Sequence, residues 1–247
     1  MKELLKNIIC LMCVVVISSA NAQSVKGIIN YRGEINEKYV DSFLTALEAK
    51  KEVPMHVKQT VVSWYRDATP DDFVLNFKGG ESYYYNVPAL EEEGYNVGSK
   101  ADLSPYYTKG DTIISGTSSL GNILEKPLDW KITQDTKKIG KYTCYKAVAN
   151  ERLYSRRGFY YNKKVVAWFV PEIPVNFGPS RYSGLPGLIL QIERDMFTLT
   201  ATKINFNPDE NDLKIIQLDK KGKVITAEES HARIKEMMGA RKKEYGN

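Results

Sequence analysis

Strand-like runs of four to nine residues, broken at short intervals by turn-forming or polar residues, fill most of the chain from residue 128 to residue 218. A helix needs a longer uninterrupted stripe at a period near 3.6, so this punctuation restricts the region to strands in an antiparallel meander or barrel-like sheet. The runs are 128–134, 141–149, 158–161, 163–170, 187–193, 196–204 and 213–218. Upstream, 25–31 reads as a short strand and 57–66 (VKQTVVSWYR), rich in β-branched and aromatic residues, as another. Phe73, Leu75 and Phe77 alternate with Val74, Asn76 and Lys78, and 81–87 returns after Gly79-Gly80, a hairpin signature. Residues 88–122 read as loops around a short strand at 111–115.

Two segments have helical spacing. In 35–51, Ile35, Tyr39, Phe43, Leu44 and Leu47 fall on one face, and Pro54 follows. Near the end, Thr226 and Glu229 form a capping box that opens a charged helix over roughly 227–243. The expected fold is therefore mainly β (α+β): a single curved antiparallel sheet or half-barrel with a helix near each end.

The first residues obey a different rule. Lys2 and Lys6 precede an apolar run from Ile8 to Ile17, and Ala20 and Ala22 stand at the −3 and −1 positions of an A-x-A cleavage site. The run is far shorter than the ~20 residues of a spanning helix. Residues 1–22 read as a cleaved export signal, leaving 23–247 as one domain with no transmembrane segment. Cleavage leaves 33 basic and 29 acidic residues and a single cysteine, Cys144. With no internal disulfide available, stability rests on core packing. The thin, dispersed positive charge gives no argument for nucleic acid. The expected location is the periplasm or the outer membrane.

Motifs for chemistry are missing from the sequence. His56 and His231 are far apart, Cys and His spacing for zinc is absent, and no nucleophile elbow, P-loop or dinucleotide fingerprint occurs. The acidic stretch 207–212 lacks the glycine and terminal glutamate of a calcium loop. Neither a metal, a cofactor nor a catalytic residue is expected.

Residues 171–190 read PEIPVNFGPSRYSGLPGLIL. Pro171, Pro174, Pro179 and Pro186 with Gly178, Gly184 and Gly187 force an irregular, restricted path that runs into the apolar strand at Leu188 and Ile189. Here the chain resembles the GLPGLI family of exported bacterial proteins, through Gly184-Leu185-Pro186-Gly187-Leu188-Ile189. Trp130, Lys138-Ile139, Tyr142-x-Cys144-x-Lys146-Ala147, Ala167-Trp168, Ile173-Pro174-Val175 and Gly178-Pro179 follow the same ordered signature. Gly27-x-Ile29-x-Tyr31 and the 73–85 hairpin fit it too. The resemblance implies an exported protein and carries over no activity or cofactor.

Alternation along 141–149 puts Tyr142, Cys144, Lys146 and Val148 on one face of the strand and Thr143, Tyr145, Ala147 and Ala149 on the other. Both faces, and both faces of 163–170, are largely apolar, so each must be covered. The two helices would cover one face; a closed barrel interior, a loop or a ligand would cover the second. Lys146, Trp168, Arg181 and Tyr182 are the candidate ligand-binding residues, with Lys146 and Arg181 presenting cations to the interior or mouth of the curved sheet, where an anionic head group or a carboxylate partner would meet them. Expected partners are a lipid-like or peptide cargo or an outer-membrane protein. An envelope hydrolase using Glu172 and Glu193, and a structural accessory domain, are the alternatives. Alanine at Arg181 or Tyr182 is expected to leave the melting temperature unchanged, whereas Gly187→Val should cost roughly 1–3 kcal/mol.

Overall fold

The computed structural model describes residues 25–89, 97–117, 121–155 and 157–245, with side chains up to residue 240. The export signal assigned to 1–22 and the acidic stretch 91–93 lie outside the described residues. The elements run β1 (Lys26–Ile35), α1 (Glu37–Glu48), α2 (Met55–Arg66), β2 (Asp71–Lys78), β3 (Glu81–Val87), β4 (Tyr106–Lys109), β5 (Thr112–Thr117) and β6 (Gly121–Glu125). Then come β7 (Lys131–Ile139), β8 (Tyr142–Tyr154), β9 (Tyr160–Val170), β10 (Leu188–Arg194), β11 (Phe197–Asn205), β12 (Val224–Thr226) and α3 (Ala227–Tyr245). The twelve described strands form one sheet in the order β12-β6-β5-β4-β3-β2-β1-β11-β10-β9-β8-β7. All pairs are antiparallel except β12, which lies parallel to β6.

The hairpin at 72–87 and the helix at each end match expectation. The Thr226 hydroxyl accepts from the Glu229 amide at 3.1 Å while the Glu229 carboxylate accepts from the Thr226 amide at 2.7 Å, the capping box closed in both directions.

Three readings are corrected. Residues 57–66 belong to helix α2, not to a strand. Lys58, Val61, Val62 and Tyr65 form its covered stripe at helical spacing, and α2 pairs with α1 through the Phe43–Tyr65 rings, an Arg66–Asp41 ion pair and the Lys58 ammonium on the Glu48 carbonyl. β-Branching lowers helix propensity only slightly, so this packing decides. Second, the stretch 88–122 contains, besides the expected strand at 111–115, which is β5, the strand β4 and the start of β6. Third, 213–218 is not a strand. Ile215, Ile216 and Leu218 pack over Tyr83, Tyr107 and Ile114 on β3, β4 and β5, a satellite core separate from the main one. Their apolar pattern comes from covering a sheet, not from joining it.

The sheet curls until its ends nearly meet. Glu125 on β6 and Glu151 on β8 both contact the single side chain of Arg181, at 3.1 and 3.4 Å. Nine strand spacings separate β6 from β8 in the sheet order, which in a flat sheet would be about 43 Å at ~4.8 Å each. The curl is filled from within. Ile173, Val175, Phe177, Tyr182 and Leu185, all from the proline–glycine segment, belong to one buried cluster with Tyr31, Phe73, Phe77, Ala147, Ala167 and Leu199 of the sheet. A loop, not a helix, therefore covers the inner face of β9. The main packing of the helices lies elsewhere, α1 on α2 and α3 on β12 and β6.

Candidate functional site

The four residues singled out from sequence separate into two pairs on opposite faces of the sheet. Lys146 and Trp168 are direct cross-strand partners, while Ala147 pairs with Ala167 and Glu151 with Lys163 one face over. Arg181 reaches Glu151, so it lies on the other side of β8 from Lys146. The expected pair of cations at one mouth does not form.

On the outer face, half-buried Trp168 organises a polar cluster. Its indole N–H donates to the Glu193 carboxylate at 2.8 Å, and the same oxygen accepts from Lys137 at 2.7 Å. Lys137 also donates to Gln191 and sits 4.1 Å from the Trp168 ring centroid. Lys146 lies 5.9 Å from that centroid and donates to Asp135 at 2.7 Å, which holds the Asp135 carboxyl below its ordinary range. Each cation here has a carboxylate. The cluster is a surface network on the outside of β8, β9 and β10.

On the inner face, Arg181 and Tyr182 are locked. Arg181 donates to Glu151 at 3.4 Å and to the Lys126 carbonyl at 3.0 Å, and pairs with Glu125. Arg194 meets Glu151 from the other side at 3.2 Å. Burial opposes the charge on Arg181, and Glu125 and Glu151 outweigh it, so its pKa is held above the ordinary value. Tyr182 is buried against Trp130, whose indole donates to the Ser183 carbonyl at 2.9 Å. The expectation that alanine at Arg181 or Tyr182 is neutral is corrected: both are built into the core. Glu151 lies beyond the 141–149 run, on the part of β8 that the sequence pattern does not mark as strand. Extending the alternation of Ala147 and Ala149 by one step puts a carboxylate at an inward position, and that needed a cation.

The signature residues have defined mechanical roles. A Cβ on Gly187 would lie 2.2 Å from the Val170 carbonyl oxygen, and one on Gly178 would lie 2.5 Å from the Tyr182 carbonyl oxygen. Leu185, Leu188 and Ile189 are buried, the last two beginning β10. The Leu188 and Ile189 amides donate to the Ile173 and Phe177 carbonyls, both at 3.0 Å, so the start of the proline–glycine segment is bonded back onto the strand that the segment precedes. The Tyr31 hydroxyl donates to the Ile189 carbonyl at 2.6 Å.

Of the expected chemistry, Cys144 is buried, and burial raises its pKa to about 11, so the thiol stays protonated. Glu172 is exposed at the turn after β9, whereas Glu193 is engaged by Trp168 and Lys137. Among the described residues no three His, Cys, Asp or Glu side chains gather as a metal site.

Residues 157–191 match the model of a family described as proteins of unknown function, Porph_ging. The match takes in β9 and the whole proline–glycine segment but only a small part of the chain. It is consistent with an uncharacterised family and does not extend to the name suggested by the GLPGLI motif. No curated protein matches. Among solved structures, PNGF-II in the C2 space group is similar at 12% identity and a TM-score of 0.47, over 87% of this chain and 33% of that one. The P21 form gives 14% and 0.45, over 85% and 33%. An uncharacterized conserved protein from Thermus thermophilus gives 6% and 0.35, over 82% and 91%. The chain thus spans about a third of the length of PNGF-II.

Proposed function

We propose that this is an exported, non-catalytic envelope protein that works by binding a partner at its outer surface, not by enclosing a cargo. The observation that carries this reading is the filling of the curl. The proline–glycine segment delivers Ile173, Val175, Phe177, Tyr182 and Leu185 into the place a ligand would take, and Arg181 fastens that segment to both arms of the sheet. A cargo would have to displace a packed core, at several kcal/mol. An open depression of about 790 Å³ lies between the β2–β3 turn and residues 215–221.

The test has two arms. Fractionation with N-terminal sequencing of the processed chain should find it in the envelope, starting at Gln23. Organic extracts of the purified protein should contain no stoichiometric lipid, and a fluorescent fatty acid should show no saturable uptake. A stoichiometric lipid, or retention of the uncleaved chain in the cytoplasm, would overturn the reading.

A further inference from the structure

The hairpin formed by β8 and β9 runs beyond the clustered core into an exposed tip of unusual composition. Between Arg152 and Lys164 the sequence carries five cations, four aromatic residues and no carboxylate. Phe159, Tyr160 and Tyr161 are consecutive and 52%, 45% and 38% exposed. A soluble surface rarely leaves three adjacent aromatic side chains in water without a use for them. Lys163 is committed to Asp195, while Arg152, Arg157 and Lys164 are exposed, Arg152 over the ring of Tyr160.

The tip is held in place. Ser155 and Phe159 close the turn with an amide–carbonyl bond of 2.9 Å. His231 of α3 stacks on Tyr154 at 4.5 Å and shares a hydrogen bond of 3.1 Å with the Tyr160 hydroxyl. The Arg152 guanidinium covers the Tyr160 ring at 3.9 Å, and Tyr154 meets that ring edge-on at 5.0 Å. Tyr160 therefore offers no clear face on which a sugar ring could stack. What remains outward is aromatic edges and Phe159, which packs with Tyr161 on one face of the ribbon, while Arg152 and Lys164 stand on the opposite face. That chemistry suits the headgroup layer of an anionic membrane, where aromatic side chains enter the interface and cations meet phosphates.

We propose that the tip of the β8–β9 hairpin is a peripheral membrane anchor for an anionic lipid surface, with Phe159 and Tyr161 entering the interface and Arg152, Arg157 and Lys164 meeting lipid phosphates. This deepens the outer-surface reading above and rests on it; failure of the anchor leaves that reading standing, because its own test is cargo and location.

The experiment is co-sedimentation of the chain from Gln23 with vesicles of phosphatidylethanolamine and phosphatidylglycerol (7:3), against phosphatidylcholine vesicles. Wild type should sediment with the anionic vesicles only, and 0.5 M salt should release it. Arg152→Gln should weaken binding about fivefold and Phe159→Ser about tenfold, both with the melting temperature moved by no more than ~2 °C. Phe159→Trp supplies a depth readout: its added emission over the wild-type signal should be quenched by doxyl groups placed shallowly in the acyl chains. Three results would each overturn the proposal. These are no binding by wild type, equal binding by Phe159→Ser, or binding with the added tryptophan unquenched, which would describe a site for polyanions and not for membrane.

Discussion

The proline–glycine segment and the β8–β9 tip are built from similar residue types and end in opposite states. Each carries arginine and tyrosine beside glycine turns. In the segment, Arg181 lies between two carboxylates and Tyr182 is buried; at the tip, Arg152 lies over the exposed ring of Tyr160. The difference comes from where carboxylates and backbone stand. Glu125 and Glu151 receive Arg181 inside the curl, whereas no acidic residue occurs between 152 and 164. A cation with a buried counter-charge becomes a fastener, and one without a carboxylate nearby in sequence stays at the surface, where it can meet something else.

The sharpest way to break this comparison is to remove each arginine in turn. Arg181→Ala takes the arginine away from Glu125 and leaves Glu151 dependent on Arg194 alone. Breaking a buried pair costs about 3–5 kcal/mol, so the melting temperature should fall by about 10 °C. Arg152→Ala should move it by no more than ~2 °C, because exposed cation–π contacts are worth about 0.5–1 kcal/mol. Matched losses in calorimetry would show that burial does not separate the two regions.

Gly187→Val probes the same segment through the backbone. The branched side chain would begin 2.2 Å from the Val170 carbonyl oxygen, so β9 and β10 must part at Leu188. A loss of about 3 kcal/mol in urea unfolding is expected, the upper end of ordinary overpacking. Gly184 also has a positive φ, +88°, but a Cβ there meets nothing within 4 Å. Gly184→Ala should therefore cost less, about 1 kcal/mol, from the backbone alone. Equal losses would mean that conformation, not close approach, fixes the glycines.

What could be read in the sequence follows the same division between local and distant causes. The 72–87 hairpin, the Thr226–Glu229 box and the turn into β10 are written in residues a few positions apart. Helix α2 was hidden because its stripe includes Lys58, a cation that is covered only because the Glu48 carbonyl, ten residues upstream, accepts from it. The run 213–218 looked like a strand because apolar residues that cover a sheet and those that join one have the same composition. Arg181 could not be placed, since its partners lie 56 and 30 residues away and meet only through the curl. Alternation gives the face of Lys146 on β8 and of Trp168 on β9 but not their pairing across the strands, and Asp135 and Glu193, which satisfy that face, come from the neighbouring strands β7 and β10.

That outer cluster gives a smaller test. Lys146 is 28% exposed and Asp135 59%, so their pair is a surface one. Lys146→Ala should cost no more than about 1 kcal/mol, and its effect should shrink further at 0.5 M salt. A loss as large as that of Arg181→Ala would mean that the outer face is as structural as the inner one.

The smallest effect concerns the joint between α3 and the tip. His231 is partly buried against Tyr154 and Tyr160. That burial lowers its pKa below the ordinary 6.5, Glu228 and Glu125 act to raise it, and Arg152 adds to the lowering. A histidine whose folded pKa is depressed binds its proton less readily in the folded than in the unfolded chain. The unfolded state therefore holds more protons as pH falls through 6.5, and stability drops in that direction. Above 6.5 both states are neutral at this residue and nothing is lost. Wild type should consequently melt lower at pH 5.5 than at pH 7.5 by more than His231→Gln does, the difference isolating this group from carboxylates elsewhere. Because only the α3 joint is affected, hydrogen exchange should report the loss in α3 and the β8–β9 turn, while the Arg181 region of the curl keeps its protection. Loss spread evenly over both regions would mean that the joint and the clasp form one cooperative unit, and the comparison between them would fail.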